Sequence, residues 1–159
     1  MSSDHQVNAP RNRHVDNQNM KVSIVVPTYN ESANISLLCG GVSSNLNPHW
    51  DYELIFVDDN SPDGTAKEIK HQIESDNRIK LIERSGKLGL GSAIVEGFLE
   101  ASGDYWVMMD ADLSHRPEDL PRLLDGLSKA DTAIGSRYVP GGKDLRSKKR
   151  VLTSRIINS

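Results

Sequence analysis

Two carboxylates one residue apart, Asp110 and Asp112, follow the apolar run Tyr105-Trp106-Val107-Met108-Met109. That run is β-prone and reads as a buried strand over Tyr105–Met109, so the pair falls at its carboxyl end. Ionised carboxylates there are costly without a counter-charge. A hard divalent cation supplies one: Mg²⁺ takes one or two carboxylates and leaves other positions for a substrate phosphate. In open α/β sheets, ligands sit outside the carboxyl ends of the strands, which is where this pair falls. The competing reading of Asp110–His115 is a solvated turn before a helix cap, where Asp is common.

The elements around the pair alternate. Val22–Val26 reads as a β-branched strand, followed by a helix with Ile35, Leu38, Val42 and Leu46 at helical spacing, which Asn30 or Ser32 can cap. Glu53–Val57 is a second strand, with a Ser-Pro-Asp-Gly turn and a helix to about residue 74 after it. Ile79–Ile82 is a third strand, and Gly91–Ala101 a helix with Ile94, Val95 and Phe98 available for burial. After the fourth strand, Pro117 opens a helix bearing Leu120, Leu123, Leu124 and Leu127, and Thr132–Gly135 is a short fifth strand. Strands alternating with helices predict βαβ units, a mainly parallel sheet and right-handed crossovers. Residues 139–148 read as a Gly- and Lys-rich loop and Val151–Ser159 as helical.

In such a sheet the loops after successive strands gather along one edge. Pro27-Thr28-Tyr29-Asn30-Glu31 offers an aromatic wall and an acid for a base or ribose. Asp58 and Asp59 end the second strand, where adjacent charges have little structural purpose, so ribose hydroxyls or base N–H groups are their expected partners. Ser61–Thr65 is read chiefly as a β-turn and helix start. Arg84-Ser85-Gly86-Lys87-Leu88-Gly89-Leu90-Gly91-Ser92 can bring backbone N–H groups and Lys87 near phosphates, although close packing of helix on sheet also explains its glycines. Gly135-Ser136-Arg137-Tyr138 places an obligate cation at the same edge. Neither a Walker A loop nor the dinucleotide fingerprint is present, and Pro27 stands where the latter would begin. The set suits an enzyme using a nucleotide-activated donor, with a metal acting on the leaving group.

The chain has 159 residues, enough for one domain with a core, and a net charge of −3 that indicates no nucleic-acid preference. Residues 137–159 hold seven bases (Arg137, Lys143, Arg146, Lys148, Lys149, Arg150, Arg155) against Asp144, a balance of +6; twelve bases against 21 acids leave −9 elsewhere. Such an end suits an anionic ligand or lipid surface, or is a solvated helix face. Cys39 is the single cysteine, which excludes an intrachain disulfide; its place on the first helix makes it a core thiol. The five histidines show no ligand-type clustering. Nothing approaches a transmembrane span or a signal-peptide apolar region. Residues 1–20 are polar and Asn-rich, a disordered lead-in to a domain over 21–159. Met20 is a candidate start, which N-terminal sequencing finding only Met1 or Ser2 would exclude.

Taken in order, P-T-Y-N-E (27–31), V-D-D with S-P-D-G-T (57–59, 61–65), K-L-G-L-G (87–91), D-A-D-L-S-H (110–115) and G-S-R-Y (135–138) resemble the dolichol-phosphate mannosyltransferases. These are inverting enzymes of the GT-A fold, within a wider polyprenyl-phosphate glycosyltransferase group, and the likeness runs from about residue 21 to the end. The resemblance implies GDP-mannose as donor and a polyprenyl (dolichyl-type) monophosphate as acceptor. It implies a donor site of Pro27, Tyr29, Glu31, Asp58, Asp59, Lys87 and the Asp110-Ala111-Asp112 run. Asp110, Asp112 and Ser114 would serve Mg²⁺ or Mn²⁺. Arg137 would meet the donor or acceptor phosphate and Arg150 the acceptor lipid phosphate, with Asp112 and Arg137 the catalytic pair. It further implies a chain peripheral at the cytoplasmic face of a membrane, with no nucleic-acid partner.

A phosphate monoester has its second pKa near 6, so the acceptor is largely dianionic at pH 7 and needs no essential general base. In-line placement and charge stabilisation of the departing diphosphate are the expected barrier-lowering terms. Leu145 stands near a position where the family often has Trp, and the resemblance implies that Ile156-Ile157-Asn158-Ser159 cuts the acceptor-side helix short. Two alternatives remain open: a same-fold transferase using UDP-glucose or another donor, and a truncated non-catalytic chain that binds nucleotide sugar.

Overall fold

The computed structural model describes residues 20–46, 49–127 and 130–136. Four strands, β1 (Lys21–Thr28), β2 (Asp51–Asp58), β3 (Ile79–Glu83) and β4 (Tyr105–Met108), form one parallel sheet in the order β3-β2-β1-β4. Helices α1 (Ser32–Leu46), α2 (Thr65–Ser75) and α3 (Leu90–Leu99) connect them, and a 3₁₀ turn at Pro117–Asp119 leads into α4 (Leu120–Gly126). Four of the five strands read from the sequence, and the helices between them, are therefore the fold of the described residues.

The two-residue period of β1 and β2 divides the core. Val22, Ile24, Val26, Tyr52, Leu54 and Phe56 face α1, α2 and α4. Val25, Ile55 and Val57 face α3. Because both faces are covered, these strands are continuous apolar runs rather than alternating ones. On α1, Ile35, Leu38, Cys39, Val42 and Leu46 are buried as the periodicity predicts. Cys39 is a core thiol; burial, followed by the nearby Asp76 and Glu68 charges, pushes its pKa up to about 12. α3 behaves differently from expectation. It buries Ala93 and Gly97, with Ile94 and Phe98 only partly covered and Val95 59 % exposed. Its small residues let the helix backbone lie close to the sheet: a Cβ on Gly97 would come within 2.3 Å of Val25 Cγ1.

Two further expectations are corrected. Thr132–Gly135 forms no strand; residues 132–136 are irregular and Ile134 is 82 % exposed. Ala133 lies beside α4 instead, where a methyl on Gly126 would touch its Cβ at 3.5 Å. The first turn of α1 is not capped by Asn30 or Ser32. Its Ser32 N–H donates to Asp63 Oδ2, at 3.1 Å, from the loop after β2. All but Met20 of the expected lead-in at residues 1–20, the loop at 139–148 and the helix at 151–159 lie outside the described residues, as do Arg137 and Arg150.

The strand order reverses between β1 and β4, since β2 and β3 build outward on one side of β1 and β4 joins on the other. Chains leaving the carboxyl ends at such a reversal diverge and open a crevice. Pro27 sharpens the divergence. The β1–β4 ladder ends with Met109 N–H donating to Val25 O at 3.1 Å. The next donor on that side of β1 would come from residue 27, and proline has none. The chain after Met109 is thus released from the sheet into the Asp110–His115 loop.

Candidate active site

All four loops at the carboxyl edge are held by hydrogen bonds of polar side chains, some within one loop and others between loops. Three of them contain a non-glycine residue with positive φ: Asn30 (φ 61°) after β1, Asn60 (φ 57°) after β2 and Leu113 (φ 61°) after β4. Such conformations cost energy, most for a residue like Leu, and persist where the surroundings fix them.

The first two loops are stitched together. Ser61 Oγ accepts from Asn30 N at 3.0 Å, and Thr65 Oγ1 accepts from Glu31 N at 2.9 Å. The Glu31 carboxylate accepts from Asn34 Nδ2 at 2.6 Å. Asp58, 1 % exposed, accepts from Thr28 Oγ1 at 3.1 Å and from Ser61 Oγ and N at 2.6 and 2.9 Å. It braces β1 against the turn after β2. Asp59, 6 % exposed, pairs through Oδ1 with Arg84 Nη1 at 2.6 Å, while Oδ2 accepts from Gly89 N at 2.9 Å. The two adjacent acids therefore have separate neighbours: Asp58 holds the β1 and β2 loops, and Asp59 holds the β3 loop.

On the tip of that β3 loop, Lys87 lies across Tyr29 with Nζ 3.8 Å from the ring centroid. Tyr29 is 37 % exposed and Lys87 is exposed, so two expected donor-site residues from different loops meet at the surface of the crevice. Pro27 is half-buried beside them in β1.

After β4, Ala111 turns into the core at 3 % exposure, while the flanking Asp110 and Asp112 stay accessible to solvent. Ser114 N donates to Asp112 Oδ1 at 2.9 Å, closing a turn whose central residue is Leu113. That turn brings His115 back onto Asp110: His115 Nδ1 accepts from Asp110 N at 3.0 Å, and Nε2 lies 3.5 Å from Asp110 Oδ2. The hydrogen bond assigns the neutral ring its proton on Nε2. The run thus presents two carboxylates and the Ser114 hydroxyl on one tight loop. Among the described residues, no three His, Cys, Asp or Glu side chains converge as a complete metal cage. An all-oxygen, half-provided donor set of this kind fits Mg²⁺ or Mn²⁺ that completes its shell with water and phosphate oxygens.

Sequence reasoning left two residues without a role. Arg84, 8 % exposed, donates to Asp59, to Gly89 O at 3.2 Å and to Ser92 Oγ at 2.6 Å, making it the hub of the β3 loop. Its place beside Asp59 follows from the β2–β3 register, which sets Asp58 opposite Glu83, and that register is not fixed by any local pattern in the sequence. His115 likewise has no local signal, because its return to Asp110 depends on the positive φ of Leu113. An open groove of about 720 Å³ lined by Ser32, Asp63, Lys67, His71 and others lies along α2; none of the expected site residues lines it.

A parallel sheet wound on both faces, with a D-x-D loop leaving the strand beside the topological reversal, is the GT-A arrangement of nucleotide-sugar enzymes. Residues 23–158 match glycosyl transferase family 2, and the chain belongs to that family. It is 46 % identical over 125 residues to a dolichol-phosphate mannosyltransferase of Pyrococcus furiosus, covering 78 % of this chain and 35 % of the relative. It is 39 % identical over 140 residues to the dolichol-phosphate mannosyltransferase of Saccharomyces cerevisiae, covering 85 % and 52 %. Among solved structures it is similar to the mannosyltransferase PcManGT from Pyrobaculum calidifontis in complex with GDP-Man and Mn²⁺. That match has a TM-score of 0.62 and 26 % identity, over 75 % of this chain and 34 % of the other. The chain spans about a third to a half of the length of these relatives. No helix among the described residues is long and apolar enough to cross a membrane.

Proposed function

We propose that this chain carries the donor-binding half of a polyprenyl-phosphate mannosyltransferase, which moves mannose from GDP-mannose to a polyprenyl (dolichyl-type) monophosphate with inversion. The observation that carries the reading is the Asp110-Ala111-Asp112 loop, released by Pro27 at the strand-order reversal, on the same carboxyl edge of the sheet as the loops that carry the Tyr29–Lys87 pair. The names of the relatives and the GDP-Man and Mn²⁺ complex of the similar structure support it.

In this reading Tyr29 and Pro27 wall the nucleoside, with Glu31, Asp58 and Asp59 shaping the loops beneath it. Lys87 leaves Tyr29 for the donor phosphates, a short movement for an exposed, flexible side chain. Asp110 and Asp112 hold Mg²⁺ or Mn²⁺, with Ser114 beside them; when bound, the ion neutralises charge developing on the departing diphosphate. An acceptor phosphate oxygen attacks the anomeric carbon from the face opposite the leaving diphosphate. The new C–O bond forms as the sugar–diphosphate bond breaks. The acceptor is already dianionic above pH of about 6, so no residue need take a proton. Arg137 and Arg150 lower the repulsion between acceptor and donor, and the basic segment they belong to sits at the cytoplasmic face of a membrane.

The test is thermal stabilisation by GDP-mannose, UDP-glucose and UDP-N-acetylglucosamine, each with and without Mn²⁺ or Mg²⁺. A donor at 100 times its Kd adds about 2.7 kcal/mol if it binds only the folded state. A metal-dependent shift with GDP-mannose alone, lost in Asp112→Ala, is the expected result. A shift with a UDP-sugar alone would replace the donor, and no shift with any donor would overturn the reading for this chain.

A further inference from the structure

The six-residue segment Arg84–Gly89 is closed at its base by one carboxylate. Asp59 Oδ1 takes Arg84 Nη1 at 2.6 Å from the first residue, and Asp59 Oδ2 takes Gly89 N at 2.9 Å from the last. Arg84 ties the same two ends directly, Nη1 donating also to Gly89 O at 3.2 Å. Its Nη2 donates to Ser92 Oγ at 2.6 Å, and that hydroxyl is within 3.0 Å of both Leu88 O and Gly89 O. Gly89 meets these demands at φ 98°, ψ 154°, a conformation that side chains disfavour. Lys87, at the tip of the closed segment, is the residue delivered onto Tyr29.

Burying a charged pair this deeply is not an economical way to stabilise a loop. Each ion loses several kcal/mol of hydration, recovered only when both partners are fully hydrogen-bonded. Here the recovery is incomplete: Arg84 Nε is buried without a hydrogen bond, its nearest carboxylate oxygen, Glu96 Oε2, being 3.1 Å away but out of line. A fixed, planar fork pinned at Nη1 and Nη2 sets geometry, a purpose a flexible lysine cannot serve.

We infer that Arg84 is a positioning residue: with Asp59 it clamps the base of the Arg84–Gly89 segment and thereby sets where the Lys87 ammonium stands relative to Tyr29 and the donor phosphates. The functional half rests on the donor-binding reading above, whereas the placement of Lys87 does not.

The experiment uses the 159-residue chain with ¹³C-dimethylated lysines, the Lys87 signal being assigned by its loss in Lys87→Arg. An ammonium over a ring face has its methyl signals displaced by the ring current. The displacement is expected in the parent chain, lost in Tyr29→Leu, and lost in Arg84→Lys, which keeps a cation beside Asp59 but no fork. Should Arg84→Lys fail to fold, Ser92→Ala removes the Nη2 anchor at an exposed site and is expected to reduce the displacement. In parallel, GDP-mannose with Mn²⁺ is titrated into the same proteins. Arg84→Lys is expected to weaken binding about tenfold, the scale of one hydrogen bond to a charged group. Arg84→Lys combined with Lys87→Ala is expected to be no weaker than Lys87→Ala alone. An undisplaced Lys87 signal in the parent, an unchanged one in folded Arg84→Lys or Ser92→Ala, or additive losses in the pair would overturn the inference. A parent chain that shows the ring-current signature but ignores GDP-mannose would overturn the donor reading and leave the clamp standing.

Discussion

Asp63 caps the first turn of α1 from another loop: its Oδ2 accepts the Ser32 N–H at 3.1 Å. The same carboxylate closes the start of α2, Oδ1 accepting from Thr65 N at 3.0 Å and Thr65 Oγ1 at 2.6 Å. Gly64 just before it adopts φ 91°, which lets the chain turn tightly enough for both. One side chain thus ties the starts of α1 and α2 together, alongside the Ser61–Asn30 and Thr65–Glu31 bonds between the same two loops.

Asp63→Ala removes both caps. A cap is worth about 0.5–2 kcal/mol, and solvent exposure of this carboxylate discounts the sum, so a loss of about 1–2 kcal/mol in urea unfolding is expected. Asp63→Asn, which retains one acceptor oxygen, should lose less. An Asp63→Ala chain as stable as the parent would show that the loops do not depend on this carboxylate.

Acid should destabilise the fold through two named groups. Burial pushes the Glu53 carboxyl upward, but hydrogen bonds from Lys80, Ser23 and Ser102 outweigh it and hold the group well below the usual carboxylate range. For Asp63 the upward push of burial is likewise outweighed by Thr65 and Ser32, bringing it to about 2. Both folded values lie below the unfolded ones. Their contribution is therefore complete above a pH of about 5 and lost as pH falls through 4 toward 2. Urea midpoints should drop across that window, and Glu53→Gln should be less stable at neutral pH with a shallower drop. A midpoint independent of pH in both proteins would contradict the assignment.

The alternation of apolar runs, and hence the parallel sheet, was legible because β1 and β2 are buried on both faces and carry little else. The loops were legible as sites for the converse reason: Asp58, Asp59, Asp110 and Asp112 are adjacent or near-adjacent charges at the ends of apolar strands. Their partners were not legible, since Asp59–Arg84, Lys87–Tyr29 and Ser32–Asp63 join loops about 25 to 60 residues apart. The failed strand at Thr132–Gly135 shows the limit of short patterns. Four residues hold too few ladder bonds to compete with packing of Ala133 against α4. α3 departs from expectation because the residues read as available for burial are Ile94, Val95 and Phe98, whereas Ala93 and Gly97 are the buried ones, and Gly97 sets the distance from the sheet.

That contact gives a stability prediction with a sign opposite to helix propensity. Alanine is the better helix former by about 1 kcal/mol. At Gly97, however, the added Cβ would meet Val25 Cγ1 at 2.3 Å and Val57 Cγ2 at 3.1 Å, both in the packed core. Overpacking costs typically 1–3 kcal/mol, so Gly97→Ala should lower the melting temperature, whereas Gly91→Ala, with open space around its Cα, should not. Equal or higher stability in Gly97→Ala would mean that α3 is not seated as described.

The Asp110 carboxylate separates a structural from a metal-binding role. Its side chain is 43 % exposed, with the His115 ring 3.5 Å away from Oδ2. Removing one negative charge at such a place should change intrinsic stability by no more than about 0.5 kcal/mol. Under the proposed function the same change weakens cation binding. At a fixed GDP-mannose concentration, the Mn²⁺ needed for half of the thermal shift should therefore rise at least about tenfold in Asp110→Asn, one charge-assisted contact having been lost. EDTA should abolish the GDP-mannose shift in the parent while leaving its unliganded melting temperature unchanged. A variant that melts early without donor would identify Asp110 as a brace of the β4 loop, and one with unaltered Mn²⁺ dependence would place the cation elsewhere.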